Sequence, residues 1–168
     1  MDLKRKLVLA TLIMTFGMGL SAQLQKPQAA YIYNFTRFIE WPSSSMQGEF
    51  TIGVLAKNHP ITEELKAMAS QRTVGSLSVK VVEFATTEQI ANCQILFVPD
   101  ERSSSLKKIN EKFSNSPMIV ITEEQDWTPT ETTINFVVVE SKLGFKINAN
   151  DFKAKNLKVS DKLLALSK

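Results

Sequence analysis

The chain has 168 residues and a formal net charge of +3, and 43% of its residues are hydrophobic. This length is that of one domain able to bury a hydrophobic core. Lys4, Arg5, Lys6 and Asp2 together carry +2 of the charge, so the rest of the chain is close to neutral. That balance argues against a nucleic-acid-binding protein, which needs a basic excess.

The N-terminus has the three-part pattern of a secretory signal. The basic residues precede an apolar run over residues 7–20, which is followed by the small residues Ser21 and Ala22. The run is shorter than the roughly 20 residues of a membrane-spanning helix, so a cleaved signal peptide is favoured over a retained anchor. We expect a signal peptide at residues 1–22 and an exported, periplasmic domain at residues 23–168.

An aromatic helix is predicted at the start of that domain. Residues 23–27 are expected to form a short flexible lead, and residues 28–41 a helix that Pro42 ends, because the residue before a proline disfavours helical geometry. The apolar residues of this segment recur with helical period on one stripe. The stripe consists of Tyr31, Ile32, Phe35, Phe38 and Ile39.

The middle of the chain alternates predicted strands with predicted helices. Alternation of this kind is typical of βαβ units and a mainly parallel sheet, and nearly continuous apolar strands fit a sheet that is covered on both faces. The sequence therefore predicts an α/β fold arranged as a three-layer sandwich. The predicted strands are 50–55, 77–84, 94–98 and 118–122, and the predicted helices are 60–71, 86–91 and 103–114.

The last part of the chain departs from this alternation. Residues 133–140 and 142–148 are two predicted strands with a tight connection at Ser141, which indicates a C-terminal antiparallel hairpin added to the sheet. Residues 151–155 are expected to form about one helical turn. Ser160 is expected to cap a final helix, since serine is a preferred N-cap residue.

The residues needed for most catalytic sites are scarce. His59 is the only histidine and Cys93 the only cysteine, so an internal disulfide and a His/Cys-rich zinc cluster are both excluded. We interpret His59 as a turn residue at the start of a helix, and Cys93 as a small core residue at the entry to an apolar strand. The sequence predicts no catalytic residues, no metal and no cofactor.

One candidate ligand site follows the third predicted strand. Open α/β sheets place ligands beyond the carboxyl ends of their strands, where this chain has Asp100, Ser103 and Ser104. These residues support an alternative function, a periplasmic module that binds a small molecule. The competing interpretation is that the acidic residues here are simply solvated.

The aromatic residues between Tyr31 and Trp41 are the most unusual feature, and two interpretations are open. They either pack the helix against the sheet or form an exposed patch for a partner, because Tyr and Trp are enriched at binding hot spots.

Two segments resemble the YfiR-like family of periplasmic proteins. The first is Ala-Ala-Tyr-Ile-Tyr-Asn-Phe-Thr-Arg-Phe-Ile-Glu-Trp-Pro at residues 29–42, which is similar to the helix that opens the family's mature chains. The second is Gly-Phe-Lys-Ile-Asn at residues 144–148 with the Leu-rich end at 154–164, which is similar to the family's closing phrase. Relatives with paired cysteines differ from this chain, which has Cys93 alone.

The resemblance implies a function in regulation. A protein of this kind binds the periplasmic part of a membrane-bound sensor, a diguanylate cyclase of YfiN type or a histidine kinase, and represses it; in the first case its release raises cyclic-di-GMP and favours biofilm. Pairing with a second copy of the chain, as a homodimer, also stays open. The motif residues offered as partner-binding candidates are Tyr33, Asn34, Arg37, Trp41 and Asn148.

Overall fold

A seven-stranded mixed sheet organises residues 19–123 and 132–168, which are the residues that the computed structural model describes. The strand order is β3-β4-β2-β5-β6-β7-β8, and a separate two-stranded sheet pairs β1 with β9. The strands are β1 Ile39–Glu40, β2 Phe50–Val54, β3 Thr73–Val74, β4 Leu77–Glu83, β5 Ile95–Val98, β6 Ile119–Glu123, β7 Ile134–Val139, β8 Lys142–Ile147 and β9 Lys158–Val159.

The five central strands run parallel, and the two outer pairings are antiparallel. β2 lies between β4 and β5, with parallel pairing on both sides, and β6 and β7 continue the parallel order. β8 returns antiparallel to β7, with Phe136 opposite Phe145. The predicted α/β class, with a mainly parallel sheet and a C-terminal antiparallel hairpin, is confirmed.

Helices cover both faces of this sheet. In β5, Ile95 and Phe97 join the larger core beneath α1 and α2, whereas Leu96 and Val98 join a second core beneath α3. Each fully buried side chain of this size contributes roughly 1.5–3 kcal/mol, so the three-layer packing is well supported. The helices are α1 Gly19–Phe35, α2 Pro60–Ala69, α3 Leu106–Phe113, α4 Ala149–Ala154 and α5 Asp161–Ala165.

The first helix begins earlier than predicted. It starts at Gly19, so the lead expected at residues 23–27 is helical and Pro27 lies inside the helix. The Leu, Ala, Gln and Lys residues before Pro27 favour helix, and a proline removes one backbone hydrogen bond without forbidding the turns before it. The predicted signal peptide at residues 1–22 falls largely outside the described residues. In the described part of the chain, no helix has both the length and the apolar character needed to cross a bilayer.

The first helix also ends earlier than predicted. Instead of continuing to Trp41 it stops at Phe35, and the chain then turns into β1. The hydroxyl and the backbone N–H of Thr36 both donate to the carbonyl of Tyr33, at 2.6 and 3.2 Å, so the α-helical ladder gives way to a tighter i to i+3 turn. Beyond the turn, Ile39 pairs with Val159 of β9, a long-range contact that local periodicity does not reveal.

Smaller differences occur around α3 and before β5. The predicted helix at 103–114 divides into a 3-10 helix, Asp100–Ser105, and α3. The predicted helix at 86–91 is a 3-10 turn, Thr87–Gln89, in which Thr86 makes no side-chain cap. By contrast, the predicted cap at Ser160 is present, because its hydroxyl accepts the N–H of Leu163.

Candidate functional site

An apolar groove lies where the end of α1 meets β8 and α5, and we call it the α1 groove. Its volume is about 240 Å³. Phe35 and Phe145 form a buried floor, while Leu166 is 55% exposed at the rim. Leu166 extends the apolar lining of the groove to its solvent-exposed rim. The groove is lined by Tyr31, Asn34, Phe35, Arg37, Phe38, Phe145, Leu163 and Leu166.

Aromatic packing fixes the floor of the α1 groove. The rings of Phe35 and Phe145 meet edge to face with centroids 5.0 Å apart, and Tyr31 meets Phe145 in the same way at 5.6 Å. Such pairs contribute about 0.5–1.5 kcal/mol beyond area burial. The groove is therefore a preformed and rigid feature.

The rim of the α1 groove is basic. Arg37 is exposed and is the one charged side chain of the lining given above. Just outside it, the ammonium group of Lys162 lies 5.6 Å from the ring centroid of Phe38, a cation–π distance. An apolar groove with two cations at its edge suits a partner that presents an apolar side chain flanked by acidic groups.

Two of the candidate partner-binding residues lie in the core. Tyr33 is 7% exposed and its hydroxyl donates to the carbonyl of Thr73. Trp41 is 9% exposed and meets the Phe50 ring edge to face at 5.1 Å. This arrangement is expected for residues that pack the core.

The other candidates are divided between surface and structure. Asn34 and Arg37 are exposed and line the α1 groove. Asn148 caps α4, since its side-chain oxygen accepts the backbone N–H groups of Asn150 and Asp151 at 3.2 and 3.3 Å. Asn34 and Arg37 are thus the two candidates that the fold brings to one surface.

The carboxyl-end edge of the sheet carries the alternative site residues. Asp100 opens the 3-10 helix after β5, and its backbone N–H lies 3.4 Å from a carboxylate oxygen of Glu123. Ser103 is half-buried and Ser104 is exposed on the same helix. A cavity of about 150 Å³ close to these serines is lined by Arg102 and Ser105 and not by Asp100, Ser103 or Ser104. The small-molecule pocket therefore stays a prediction.

A second group of side chains meets at this edge, and we call it the edge cluster. It consists of His59, Glu101 and Glu123, whose potential ligand atoms all lie within 4.8 Å of one another. His59 also caps α2, where its Nδ1 accepts the N–H of Ile61 at 3.3 Å. The interpretation of His59 as the residue that starts a helix is confirmed, and the cluster gives it neighbours that were not predicted.

The carboxylate of Glu123 sits in a partly dry environment. Burial raises the pKa of Glu123, although a hydrogen bond from the Gln28 side chain and one from the Asp100 backbone favour its charged form. The Gln28 amide nitrogen lies 2.7 Å from Glu123 Oε2. Gln28 itself is 2% exposed, and its Oε1 has no partner among the described residues. This edge therefore gathers negative charge beside a buried amide.

Cys93 is a packing residue, as predicted. It is 8% exposed and its sulfur lies 3.4 Å from the Met118 sulfur. Burial raises the pKa of its thiol to about 12. A thiol of this kind is a poor nucleophile and a poor metal ligand near neutral pH.

Sequence reasoning missed both assembled features. The α1 groove joins residues near 31–38 to residues near 145–166, and the edge cluster joins residues at or after the ends of β2, β5 and β6. The sequence does carry part of this signal for the edge cluster, because His59, Glu101 and Glu123 each lie at or after the end of a predicted strand, but it does not show that these strands are neighbours. Carboxyl ends of neighbouring parallel strands meet at one edge.

Comparison with known proteins gives one family. The model of the family described as YfiR/HmsC-like matches residues 25–168. A search of curated proteins found no match to the chain. The matched region contains every element from the middle of α1 to α5, with both the α1 groove and the edge cluster.

Proposed function

The chain belongs to the YfiR/HmsC-like family, and from this we propose that it is a periplasmic regulatory protein that binds and represses a membrane-bound sensor of the diguanylate cyclase type. The family is periplasmic, and it regulates diguanylate cyclase partners rather than catalysing a reaction. The family match over residues 25–168 is the observation that carries the proposal. Export by a signal peptide at residues 1–22 belongs to the same proposal.

We propose the α1 groove as the surface that contacts the sensor. Exposed Leu166 and half-buried Phe38 offer apolar area, and Arg37 offers a charged group beside it. Arg is enriched among hot-spot residues, and hot spots cluster around pockets that become fully desolvated on binding. The preformed aromatic floor lowers the ordering cost of binding.

Repression follows from differential affinity for two states of the sensor. A bound protein shifts a two-state equilibrium only by the difference between its affinities for the two states. Moving a sensor from about 1:99 to about 99:1 needs roughly 5.5 kcal/mol of such difference. Three hot-spot contacts of about 2 kcal/mol each supply that amount when they form with only one state of the sensor.

A site-specific photo-crosslinker tests the contact. The crosslinking amino acid is placed at Leu166 in the α1 groove and, as a matched control, at Lys107, which is exposed on α3 on the opposite face. We expect the Leu166 position to capture a membrane protein with a diguanylate cyclase output domain and the Lys107 position to capture none. Equal capture at both positions, or capture of no such sensor, contradicts the proposal.

A cellular measurement tests repression itself. Deleting the gene is expected to raise cyclic-di-GMP, and the wild-type gene is expected to restore the low level. Leu166→Glu should fail to restore it, because a charge in the α1 groove opposes apolar contact, whereas Lys107→Glu should restore it. Unchanged cyclic-di-GMP after deletion argues against this class of partner.

A further inference from the structure

We infer that the edge cluster is a binding site for one divalent transition-metal ion such as Zn²⁺, with His59, Glu101 and Glu123 as ligands. His59 and Glu101 follow β2 and β5, and Glu123 is the last residue of β6, so the fold and not a local motif brings the three together. This site is separate from the α1 groove and does not rest on the proposed function.

The geometry is close to that of a bound ion. The ligand atoms already lie within 4.8 Å of one another. Zinc bonds to His nitrogen and carboxylate oxygen are about 2.0–2.2 Å long, so two ligands of one ion lie at most about 4.4 Å apart. Glu101 is exposed and free to change rotamer, and a small side-chain movement closes the remaining gap.

The donor set selects the kind of ion. Imidazole suits zinc and other late first-row metals, whereas magnesium and calcium favour ligand sets made only of oxygen. A neutral imidazole has a single lone pair, which now accepts the long 3.3 Å bond from the Ile61 N–H. A metal takes that lone pair in place of the amide, at the cost of a weak hydrogen bond.

A buried amide gives independent support for a ligand here. Gln28 is 2% exposed, and its amide is directed at the edge cluster through the 2.7 Å contact with Glu123. Its other atom, Oε1, is left without a partner among the described residues. Buried polar atoms are nearly always satisfied, so the unpartnered oxygen of Gln28 indicates that a further polar group binds beside Glu123.

The Gln28 amide also orients one of the proposed metal ligands, Glu123. Metal-binding carboxylates are held in place by hydrogen bonds from residues behind them. Glu123 receives such bonds from Gln28 and from the backbone of Asp100, at 2.7 and 3.4 Å. The Glu123 carboxylate is therefore already oriented by two hydrogen bonds.

The position within the sheet agrees with this assignment. After β2 the chain first adds β4 on one side of β2 and then crosses back to add β5 on its other side, so the strand order reverses between β2 and β5. Open α/β sheets bind ligands in the crevice where the strand order reverses in this way. His59 follows β2 and Glu101 follows β5, so the edge cluster occupies that crevice.

Calorimetric titration of Zn²⁺ into the metal-stripped, untagged protein tests the site. We expect one ion per chain and no comparable binding of Mg²⁺ or Ca²⁺. His59→Asn removes the imidazole but keeps an N-cap acceptor for α2, and Glu123→Gln keeps an acceptor for Gln28. Each should weaken Zn²⁺ binding at least about tenfold, and Gln28→Met about 10–100-fold. Glu111→Gln, an exposed acid on α3, should change nothing.

Nuclear magnetic resonance gives a second readout that does not depend on affinity. Because His59 is the only histidine, the imidazole nitrogens give one set of signals, and Zn²⁺ should shift them. Circular dichroism confirms that each variant is folded before it is titrated. Absence of saturable Zn²⁺ binding, equal affinity for Ca²⁺, unshifted imidazole signals, or equal loss in Glu111→Gln and His59→Asn overturns the assignment.

Discussion

The buried and the exposed residues of the segment from Ala29 to Pro42 differ in what they do. Tyr33 and Trp41 point into the core, where each is less than one-tenth exposed. Asn34 and Arg37 point into solvent along the α1 groove. One sequence phrase thus carries two kinds of information, and it cannot be read as a list of contact residues.

This difference separates two sets of experimental effects. Substitution of a buried residue of the segment should lower stability and reduce binding only through loss of folded protein. Substitution of a groove residue should reduce binding and leave stability nearly unchanged. Measuring both the stability and the partner affinity of the same variants tests this division directly.

The largest effect is expected for Trp41→Ala. Removing a buried Trp leaves a cavity against Phe50 and should destabilise the fold by about 3–5 kcal/mol, measured by chemical denaturation. Leu166→Ala is the matched control, since an exposed position should change stability by no more than about 0.5 kcal/mol. A loss below about 1 kcal/mol for Trp41→Ala, together with failure of partner binding, would place Trp41 in the interface.

The next effect is on binding and concerns Arg37→Ala. We expect the affinity for the sensor captured in the crosslinking experiment to fall by about 2 kcal/mol, which is roughly 30-fold, because the groove loses its charged rim residue. Stability should change by about 0.5 kcal/mol or less. Arg102→Ala, an exposed arginine at the carboxyl-end edge, is the control in the same surface-based assay. Equal losses for both arginines would mean that overall charge, and not the groove, drives association.

A smaller effect is expected for Tyr33→Phe. The ring keeps its packing and its contact with Arg72, whose guanidinium carbon lies 5.0 Å from the ring centroid. The variant loses only the hydrogen bond to the Thr73 carbonyl, which is worth about 1 kcal/mol net. Denaturation should detect this change while sensor affinity stays constant. A selective loss of affinity would move Tyr33 to the contact set.

The smallest effect is expected for chemical labelling of Cys93, which lies in the core on the opposite face of the sheet. Burial raises the pKa of the Cys93 thiol to about 12 and keeps it un-ionised at pH 8, so maleimide or disulfide reagents should barely react with the folded protein. Unfolding should make the reaction fast. The control is Asn92→Cys in a Cys93→Ala background, because residue 92 is exposed. Rapid labelling of native Cys93 would contradict its assignment to the core.

Much of the architecture follows from local patterns. The apolar runs located β2, β5 and β6 to within about two residues, and the hairpin and the Ser160 cap were both predicted correctly. The stripe containing Phe35 and Ile39 predicted burial correctly even where the helix had already ended. Period alone cannot distinguish a helix from a turn followed by a short strand when both bury the same residues.

The rest depends on contacts between distant residues. Ile39 is in a strand because Val159 is available to pair with it, and no local signal near residue 39 contains that information. The α1 groove likewise needs Phe145 and Leu166, and the edge cluster needs β2, β5 and β6 to be neighbours in the sheet. Such placements follow from strand order, which a single sequence does not specify.

The pairing of β1 with β9 joins segments that are distant in the sequence. The carbonyl of Phe38 accepts the backbone N–H of Ser160 at 2.9 Å, and β1 pairs with β9. The α1 groove therefore depends on contacts between residues more than 100 positions apart, and such long-range contacts slow the folding of a chain. A chain cut before residue 161 therefore has α1 and β8 but lacks Leu163 and Leu166, which complete the lining of the groove.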